Sequence, residues 1–330
     1  MSDEPQGSGP AAWTDAVLGA ALLAIDPPGL GGMLLRAPAG PVRDAWLERL
    51  RELLPAGMPL RKVPLHASDE RLLGGLDLAA TLGAGRPVAG RGLIAEADGG
   101  LLLLPMAERI APAAAARITA AMDAGEVVVE RDGLALRLPS RFGVVAFDEG
   151  IAGEEPPPAA LAERLAFAVD LAPVTHRDLD DVGPPAGAVL GARARLHGVA
   201  ADAGPLDALC TAAHSLGVAS LRAPLFALRA ARAAAALAGR DVVTESDAAL
   251  AARLVLAPRA TALPAPEAEP GTDAAEPPPD SAEPAEPPAV EPERPLEDVV
   301  LEAALAALPP ELLARLRAGQ APRARAQGQG

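Results

Sequence analysis

Gly125 to Phe147 reads GEVVVERDGLALRLPSRFGVVAF, and the fold class follows from this stretch. Its first part, Glu126 to Leu138, holds two apolar runs joined by Asp132-Gly133, a pair that favours the tight turn of a β-hairpin. Its last part, Phe142 to Phe147, is a short apolar run, which indicates a strand buried on both faces of a parallel sheet. The stretch therefore predicts a hairpin that leads into a central strand.

The sequence on both sides of this stretch alternates between strands and helices. Further buried strands are predicted at Gly32–Arg36, Leu101–Leu104 and Ala166–Leu171. Helices are predicted at Trp13–Ile25, Val42–Leu54 and Glu108–Met122. Such alternation favours a mostly parallel α/β sheet flanked by helices, and we assign residues 1–173 to this domain.

The strand pattern stops after residue 173. Four helices are predicted in residues 174–262, at Val189–Ala200, Leu206–Leu216, Leu221–Leu237 and Ser246–Leu256. Thr244, with Asp247 three residues later, is a start signal for the last of them. We expect these residues to form a small helical domain.

Residues 263–295 differ in composition from everything before them. Pro264 to Pro295 contains nine carboxylates, one arginine and eleven prolines, a composition that cannot bury enough apolar surface to fold. We predict a disordered, acidic, Pro-rich linker, which is either a plain spacer or an electrostatic contact for a basic partner. Residues 296–330 are predicted to hold two short helices, Leu296–Leu308 and Glu311–Leu316, and a basic tail.

Composition and charge exclude several kinds of chemistry. Lys62 is the only lysine among 29 basic residues, and Cys210 is the only cysteine, which excludes a disulfide framework. The four histidines lack metal-ligand spacing, and a net charge of −15 argues against nucleic-acid binding. No apolar stretch reaches the roughly 18 residues of a membrane span, and the polar N-terminus predicts no secretion signal. We expect a cytoplasmic protein.

Three segments give the chain a family resemblance. Asp69–Leu104, which ends in GGLLLL, resembles the segment that leads into the Walker B strand of magnesium chelatase ATPases. Gly125–Phe147 resembles their hairpin insertion and sensor 1 strand, and Leu221–Arg259 resembles their lid. Residues 15–260 therefore resemble an AAA+ module, which is an α/β domain with β-hairpin insertions followed by a small helical lid.

The segment at the P-loop position is Ala37 to Asp44, APAGPVRD. A P-loop needs glycines around the phosphates, a lysine for the phosphate charge and a hydroxyl residue for Mg²⁺. Gly40 is retained, but Arg43 stands at the lysine position and Asp44 at the hydroxyl position. The Asp44 carboxylate would repel phosphates, so the resemblance implies a degenerate P-loop.

The Walker B position is altered as well. An aspartate that holds Mg²⁺ and a glutamate that orients the attacking water are needed there, but Pro105 and Met106 follow the strand, and Glu108 comes two residues late. The simpler interpretation of Glu108 is a carboxylate at a helix N-terminus. We therefore expect no ATP hydrolysis by this chain and assign it no bound cofactor. ATP and Mg²⁺ would be used by the complex.

Two arginines match positions that act on nucleotide in the family. Arg164, in LAERLAF, matches the arginine finger, which stabilises transition-state charge in a neighbouring subunit; an ordinary interface arginine is the alternative. Arg222, in SLRAP, matches the sensor 2 arginine of the lid, with a domain-docking ion pair as its alternative. Asp148 and Glu149 are interpreted as loop charges.

With these departures, the chain resembles the D subunit of magnesium chelatase more than the ATPase subunit I, and that resemblance implies a function. Such a subunit is a platform in a ring oligomer, such as a hexamer, with the ATPase subunit I. It couples ATP-driven motion to the porphyrin-binding catalytic H subunit, which inserts Mg²⁺ into protoporphyrin IX for chlorophyll or bacteriochlorophyll synthesis. The alternatives are a self-sufficient MoxR-type AAA+ ATPase and a cobaltochelatase-type subunit.

The D-subunit family also implies an integrin-type domain after the linker, with a D-x-S-x-S metal site. No such motif occurs in residues 296–330. We expect either a truncated sequence or an unusually short relative, and we assign no metal site.

Overall fold

A computed structural model describes residues 8–131, 134–150, 155–180, 182–264 and 294–320. Most of the predicted linker, the Asp132-Gly133 turn and the basic tail therefore lie outside the described residues. Within the described part, no helix is long and apolar enough to cross a membrane.

A five-stranded parallel sheet forms the centre of the first domain, with the strand order β2-β5-β8-β1-β9. Two antiparallel hairpins, β3–β4 and β6–β7, stand apart from it. The described strands are β1 Gly32–Arg36, β2 Leu60–Lys62, β3 Gly74–Leu76, β4 Ala89–Arg91, β5 Leu101–Leu104, β6 Glu126–Arg131, β7 Leu134–Pro139, β8 Gly143–Asp148 and β9 Phe167–Asp170.

Helices pack against the sheet, and α-helices are the main elements after β9, the last described strand. The described α-helices are α1 Ser8–Ile25, α2 Pro27–Leu30, α3 Pro41–Leu53, α4 Asp69–Leu73, α5 Leu78–Ala84, α6 Leu93–Glu96, α7 Pro112–Ala124, α8 Ala159–Ala162, α9 Ala186–Arg195, α10 Ala203–Ser215, α11 Arg222–Leu237, α12 Glu245–Ala251, α13 Leu296–Ala306 and α14 Pro310–Gln320. A π-helical turn, Ala252–Leu256, extends α12.

The predicted strands are confirmed, and the four-leucine run shows why. Leu101 and Leu103 belong to the core on one face of the sheet, and Leu102 and Leu104 belong to the core on the other. All four are buried because successive side chains of a strand point to opposite faces, and helices cover both.

Several predicted helix boundaries are wrong by three to five residues; the helix expected to begin at Trp13, for example, begins at Ser8. The helix expected to begin at Glu108 begins at Pro112, and Glu108 lies in a 3-10 turn, Ala107–Arg109. Proline suits the first turn of a helix because its fixed φ is helical and its missing N–H is not needed there. Glu108 is therefore not the helix N-terminal carboxylate that the sequence suggested.

The second domain is helical, as predicted. Thr244 and Asp247 form a capping box at the start of α12, which confirms the predicted start signal. Helix α13 packs against α10 and α12, and its Val300 and Ala304 are fully buried. The helix that follows the linker in sequence therefore completes the core of the helical domain.

Candidate functional site

A parallel sheet has two chemically distinct edges. The carboxyl edge is where the strands end, at residues such as Arg36 and Asp148, and the amino edge is where they begin, at residues such as Gly32 and Phe167. Five strand residues of β1 span about 13 Å from edge to edge. The residues singled out by the sequence fall into two groups, one at each edge.

Arg43 lies at the carboxyl edge, in the first turn of α3. Gly40 is the extended N-cap residue of that helix, and the exposed Asp44 follows Arg43. The Arg43 guanidinium lies 2.7 Å from the carboxylate of Glu149 and 5.5 Å from the centre of the Phe147 ring. Both charged side chains are about four-fifths buried, with exposed fractions of 18% and 22%. The charge of Arg43, at the predicted P-loop lysine position, is therefore already paired with a carboxylate of the same chain.

Glu149 is itself fixed by a second acidic residue. Its backbone N–H donates to the Glu108 carboxylate at 3.1 Å, and the Glu108 side chain is 1% exposed. The adjacent Asp148 carboxylate accepts the backbone N–H of Gly150 at 3.0 Å. The interpretation of Asp148 and Glu149 as loop charges did not predict these contacts, because Arg43 and Glu149 are 106 positions apart in sequence.

The backbone after β5 turns sharply at the predicted Walker B position. Met106 has φ 48° and ψ 53°, and it is the only non-glycine residue with positive φ in the described part of the chain. This conformation costs a side chain about 1–2 kcal/mol. Neither Pro105 nor Met106 has a carboxylate, so neither side chain can hold Mg²⁺ or act as the water-orienting carboxylate.

These residues do not fit ATP with Mg²⁺. A phosphate that used Arg43 would have to displace Glu149 and would meet the carboxylates of Glu149 and Asp44. The Arg43 Nε atom is buried without a hydrogen-bond partner among the described residues, but one free donor does not offset the repulsion from two carboxylates. Within the described residues, no group of three or more His, Cys, Asp or Glu side chains could hold a metal ion.

Arg164 and Arg222 lie at the amino edge and share one carboxylate, that of Asp123 at the end of α7. Arg164 Nε lies 3.0 Å and 3.1 Å from the two Asp123 oxygens, and Arg222 Nη1 lies 3.2 Å from one of them. Arg164 also donates to the Ala160 carbonyl at 2.7 Å. Sequence reasoning did not single out Asp123.

The shared carboxylate has an altered proton affinity. Hydrogen bonding from Arg164 holds the pKa of Asp123 below its usual range, and the charge of Arg222 acts in the same direction. The Arg164 pKa is raised in turn, mainly by its hydrogen bond to Asp123. Both residues line a groove of about 480 Å³, whose other walls are small residues of α7 and residues Pro158 to Ala160. The groove leaves the Arg164 side chain 20% exposed.

The structure thus separates the predicted site residues. Gly40, Arg43 and Asp44 lie at the carboxyl edge, and Arg164 and Arg222 lie at the amino edge. Within one chain the two arginines cannot reach a ligand bound at the Arg43 position. Both arginine side chains are instead partly exposed at the opposite surface.

The fold and the two groups of residues define the chain as an AAA+ module with a helical lid. Residues 206–280 match the family described as AAA lid domain. A crystal structure of a candidate ATPase from Cytophaga hutchinsonii superposes with a TM-score of 0.56 over 78% of this chain and 87% of that one, at 16% identity, which supports the fold alone.

The chain belongs to the magnesium chelatase family. It is 30% identical to the magnesium chelatase 38 kDa subunit of Rhodobacter capsulatus, over 69% of this chain and 80% of that protein. It is 40% identical to the 60 kDa subunit of Cereibacter sphaeroides, over 94% of this chain and 52% of that protein. The chain therefore spans about half the length of the 60 kDa subunit. These matches favour a chelatase subunit over a MoxR-type ATPase.

Proposed function

We propose that this chain is a non-hydrolysing AAA+ subunit of magnesium chelatase. It assembles into a ring with the ATPase subunit I and supports the ATP-dependent insertion of Mg²⁺ into protoporphyrin IX, which is a step of chlorophyll or bacteriochlorophyll synthesis. Mg²⁺ is a substrate of this reaction. The third partner is the porphyrin-binding H subunit, which carries out the insertion.

The observation that carries this proposal is the Arg43–Glu149 ion pair. An active P-loop keeps its cation free for the phosphates, whereas Arg43 has an internal carboxylate partner at 2.7 Å. Asp44, Pro105 and Met106 remove the hydroxyl and the two acidic groups that hold Mg²⁺ and water. Four changes at one edge of the sheet therefore abolish the same chemistry.

Arg164 gives the chain a role at a neighbour's nucleotide. It lies at the edge opposite the degenerate P-loop, so a head-to-tail ring would bring it towards the P-loop of the next subunit. There it would stabilise the charge that develops on the transferred phosphate. Arg222, which shares Asp123 with Arg164, adds a second positive charge to the same surface.

Two measurements test the proposal. Mixed with the ATPase subunit I, the chain is expected to co-purify with it in a nucleotide-dependent manner. Alone, it is expected to show no ATP hydrolysis above the background of a heat-denatured sample. Steady ATP turnover by the pure chain, together with ATP-dependent hexamerisation without a partner, would instead support the MoxR-type alternative.

A further inference from the structure

The helical lid contacts the segment Glu163–Ala166, which carries Arg164 and is called here the finger segment. Ser220, just before α11, donates its hydroxyl to the Glu163 carboxylate. Arg222 meets Arg164 at Asp123. Arg259, at the end of the lid, donates to the backbone carbonyls of Leu165 and Ala166. Each residue of the segment is therefore linked to the lid directly or through Asp123.

Arg259 makes the most extensive of these contacts. Its Nη1 lies 2.8 Å from the Ala166 carbonyl and 2.7 Å from the Val255 carbonyl of its own domain, and its Nη2 donates to Leu165. The guanidinium is largely withdrawn from solvent, which lowers its pKa. A planar guanidinium has donors in fixed directions, so it holds two consecutive carbonyls at a defined position relative to the lid.

The core domain holds the finger segment from the other side. The Ala166 N–H donates to the Leu30 carbonyl at 3.0 Å. Gly31, with φ 69°, lets the Arg164 carbonyl approach so closely that a Cβ atom at Gly31 would lie 2.0 Å from that oxygen. The segment therefore lies between the start of β1 and the lid and contacts both, so a displacement of the lid would also move Arg164.

We infer that Arg259 is a positioning residue that couples the orientation of the lid to Arg164. This inference rests on the proposed function, because it assumes that Arg164 acts on a neighbour's nucleotide. The lid of this chain has no nucleotide of its own to respond to. Its contacts with the finger segment instead set the place from which Arg164 reaches the next subunit.

The test compares Arg259→Gln and Arg259→Lys with Arg253→Gln. Arg253 is a matched control, because it also joins the lid to the core, through Asp15 at 3.0 Å, but makes no hydrogen bond or ion pair to the finger segment among the described residues. Amide hydrogen exchange on the isolated full chain is expected to increase in residues 163–167 for Arg259→Gln, to increase less for Arg259→Lys and to stay unchanged for Arg253→Gln. Wild-type exchange at residues 163–167 in Arg259→Gln would overturn the inference whatever the role of Arg164.

A second measurement uses the complex with subunit I. Arg259→Gln is expected to lower the kcat for ATP about 10- to 100-fold, as misplacement of a catalytic group by about 1 Å does, with KM and assembly unchanged. In an Arg164→Ala background the same change should have no further effect. An equal loss in both backgrounds would show that Arg259 is merely structural and would overturn the inference. Unchanged ATP turnover in the Arg164→Ala complex would contradict the proposed function and therefore also the coupling of Arg259 to catalysis. The hydrogen-exchange experiment would still test whether Arg259 holds the finger segment.

Discussion

Arg43 and Glu149 are paired at 2.7 Å across the carboxyl edge of the sheet, where the sequence places the cation of a P-loop. The pair is supported by the Phe147 ring beneath Arg43 and by Glu108, which accepts the Glu149 N–H. Arg43, at the predicted P-loop position, thus contacts a carboxylate of its own chain.

The pair should therefore contribute to stability. Arg43→Ala leaves the largely buried Glu149 carboxylate without its cation, and we expect the free energy of unfolding to fall by about 1–3 kcal/mol. Urea unfolding followed by circular dichroism measures the change. Arg51→Ala, at an exposed position of the same helix, is the control and should change stability by less than about 0.5 kcal/mol. A double-mutant cycle with Glu149→Ala that gives no coupling energy would contradict a stabilising pair.

Restoring the lysine alone should not restore nucleotide binding. In Arg43→Lys the carboxylates of Glu149 and Asp44 remain, and Pro105 and Met106 still provide no carboxylate for Mg²⁺. We expect no saturable binding of a fluorescent ATP analogue in the presence of Mg²⁺. The proposed ATPase partner, subunit I, serves as the positive control. Saturable binding by the single variant would mean that Glu149 and Asp44 do not block the site.

The stability provided by Asp123 should depend on pH. Its pKa is lowered in the folded chain, so its contribution is fully present above the unfolded pKa of about 3.9 and is lost as the pH falls through the lower folded value. Asp123→Asn should therefore be less stable than wild type at pH 6, by about 1 kcal/mol or less because the pair is partly exposed. The difference between the two unfolding curves should begin to shrink below about pH 4 and should vanish once the pH is below the lowered pKa of the folded state. A constant difference between pH 6 and pH 3 would contradict this assignment.

Helix α13 should behave as a part of the lid. Val300 is fully buried against the lid, whereas its neighbour Val299 is partly exposed. Val300→Ala creates a cavity and should lower the free energy of unfolding by about 1–3 kcal/mol. Val299→Ala, the same chemical change one position earlier, should lower it by clearly less. Equal effects in urea unfolding would show that α13 does not contribute to the core.

Local patterns predicted most of the fold. The four-leucine run, the alternation of strands and helices and the Thr244–Asp247 signal each depend on residues close together in sequence, and the structure confirms them. The early start assigned to α7 failed because apolar periodicity did not separate a 3-10 turn from the helix that begins at Pro112.

The candidate site was harder to predict, because its decisive contacts join distant positions. Arg222 and Asp123 are 99 residues apart, and they meet only once the lid packs under the amino edge of the sheet. The Arg43–Glu149 pair likewise requires β1 and β8 to lie side by side. The packing of α13 had a visible signal in the apolar spacing of Val300, Ala304 and Leu308, but that spacing did not identify the surface it covers.

Two properties define the proposed role of this chain: it hydrolyses no ATP, and it supplies Arg164 to a neighbour that does. The steady-state ATPase rate of subunit I is therefore to be compared in complexes with wild-type, Arg164→Ala or Arg177→Ala chains, where Arg177 is an exposed control. We predict equal assembly of all three and equal rates for wild type and Arg177→Ala. At nucleotide sites next to an Arg164→Ala chain, the rate of ATP hydrolysis should fall by about 10³-fold or more, the usual effect of removing an arginine finger. Unchanged turnover in the Arg164→Ala complex would contradict the proposed role.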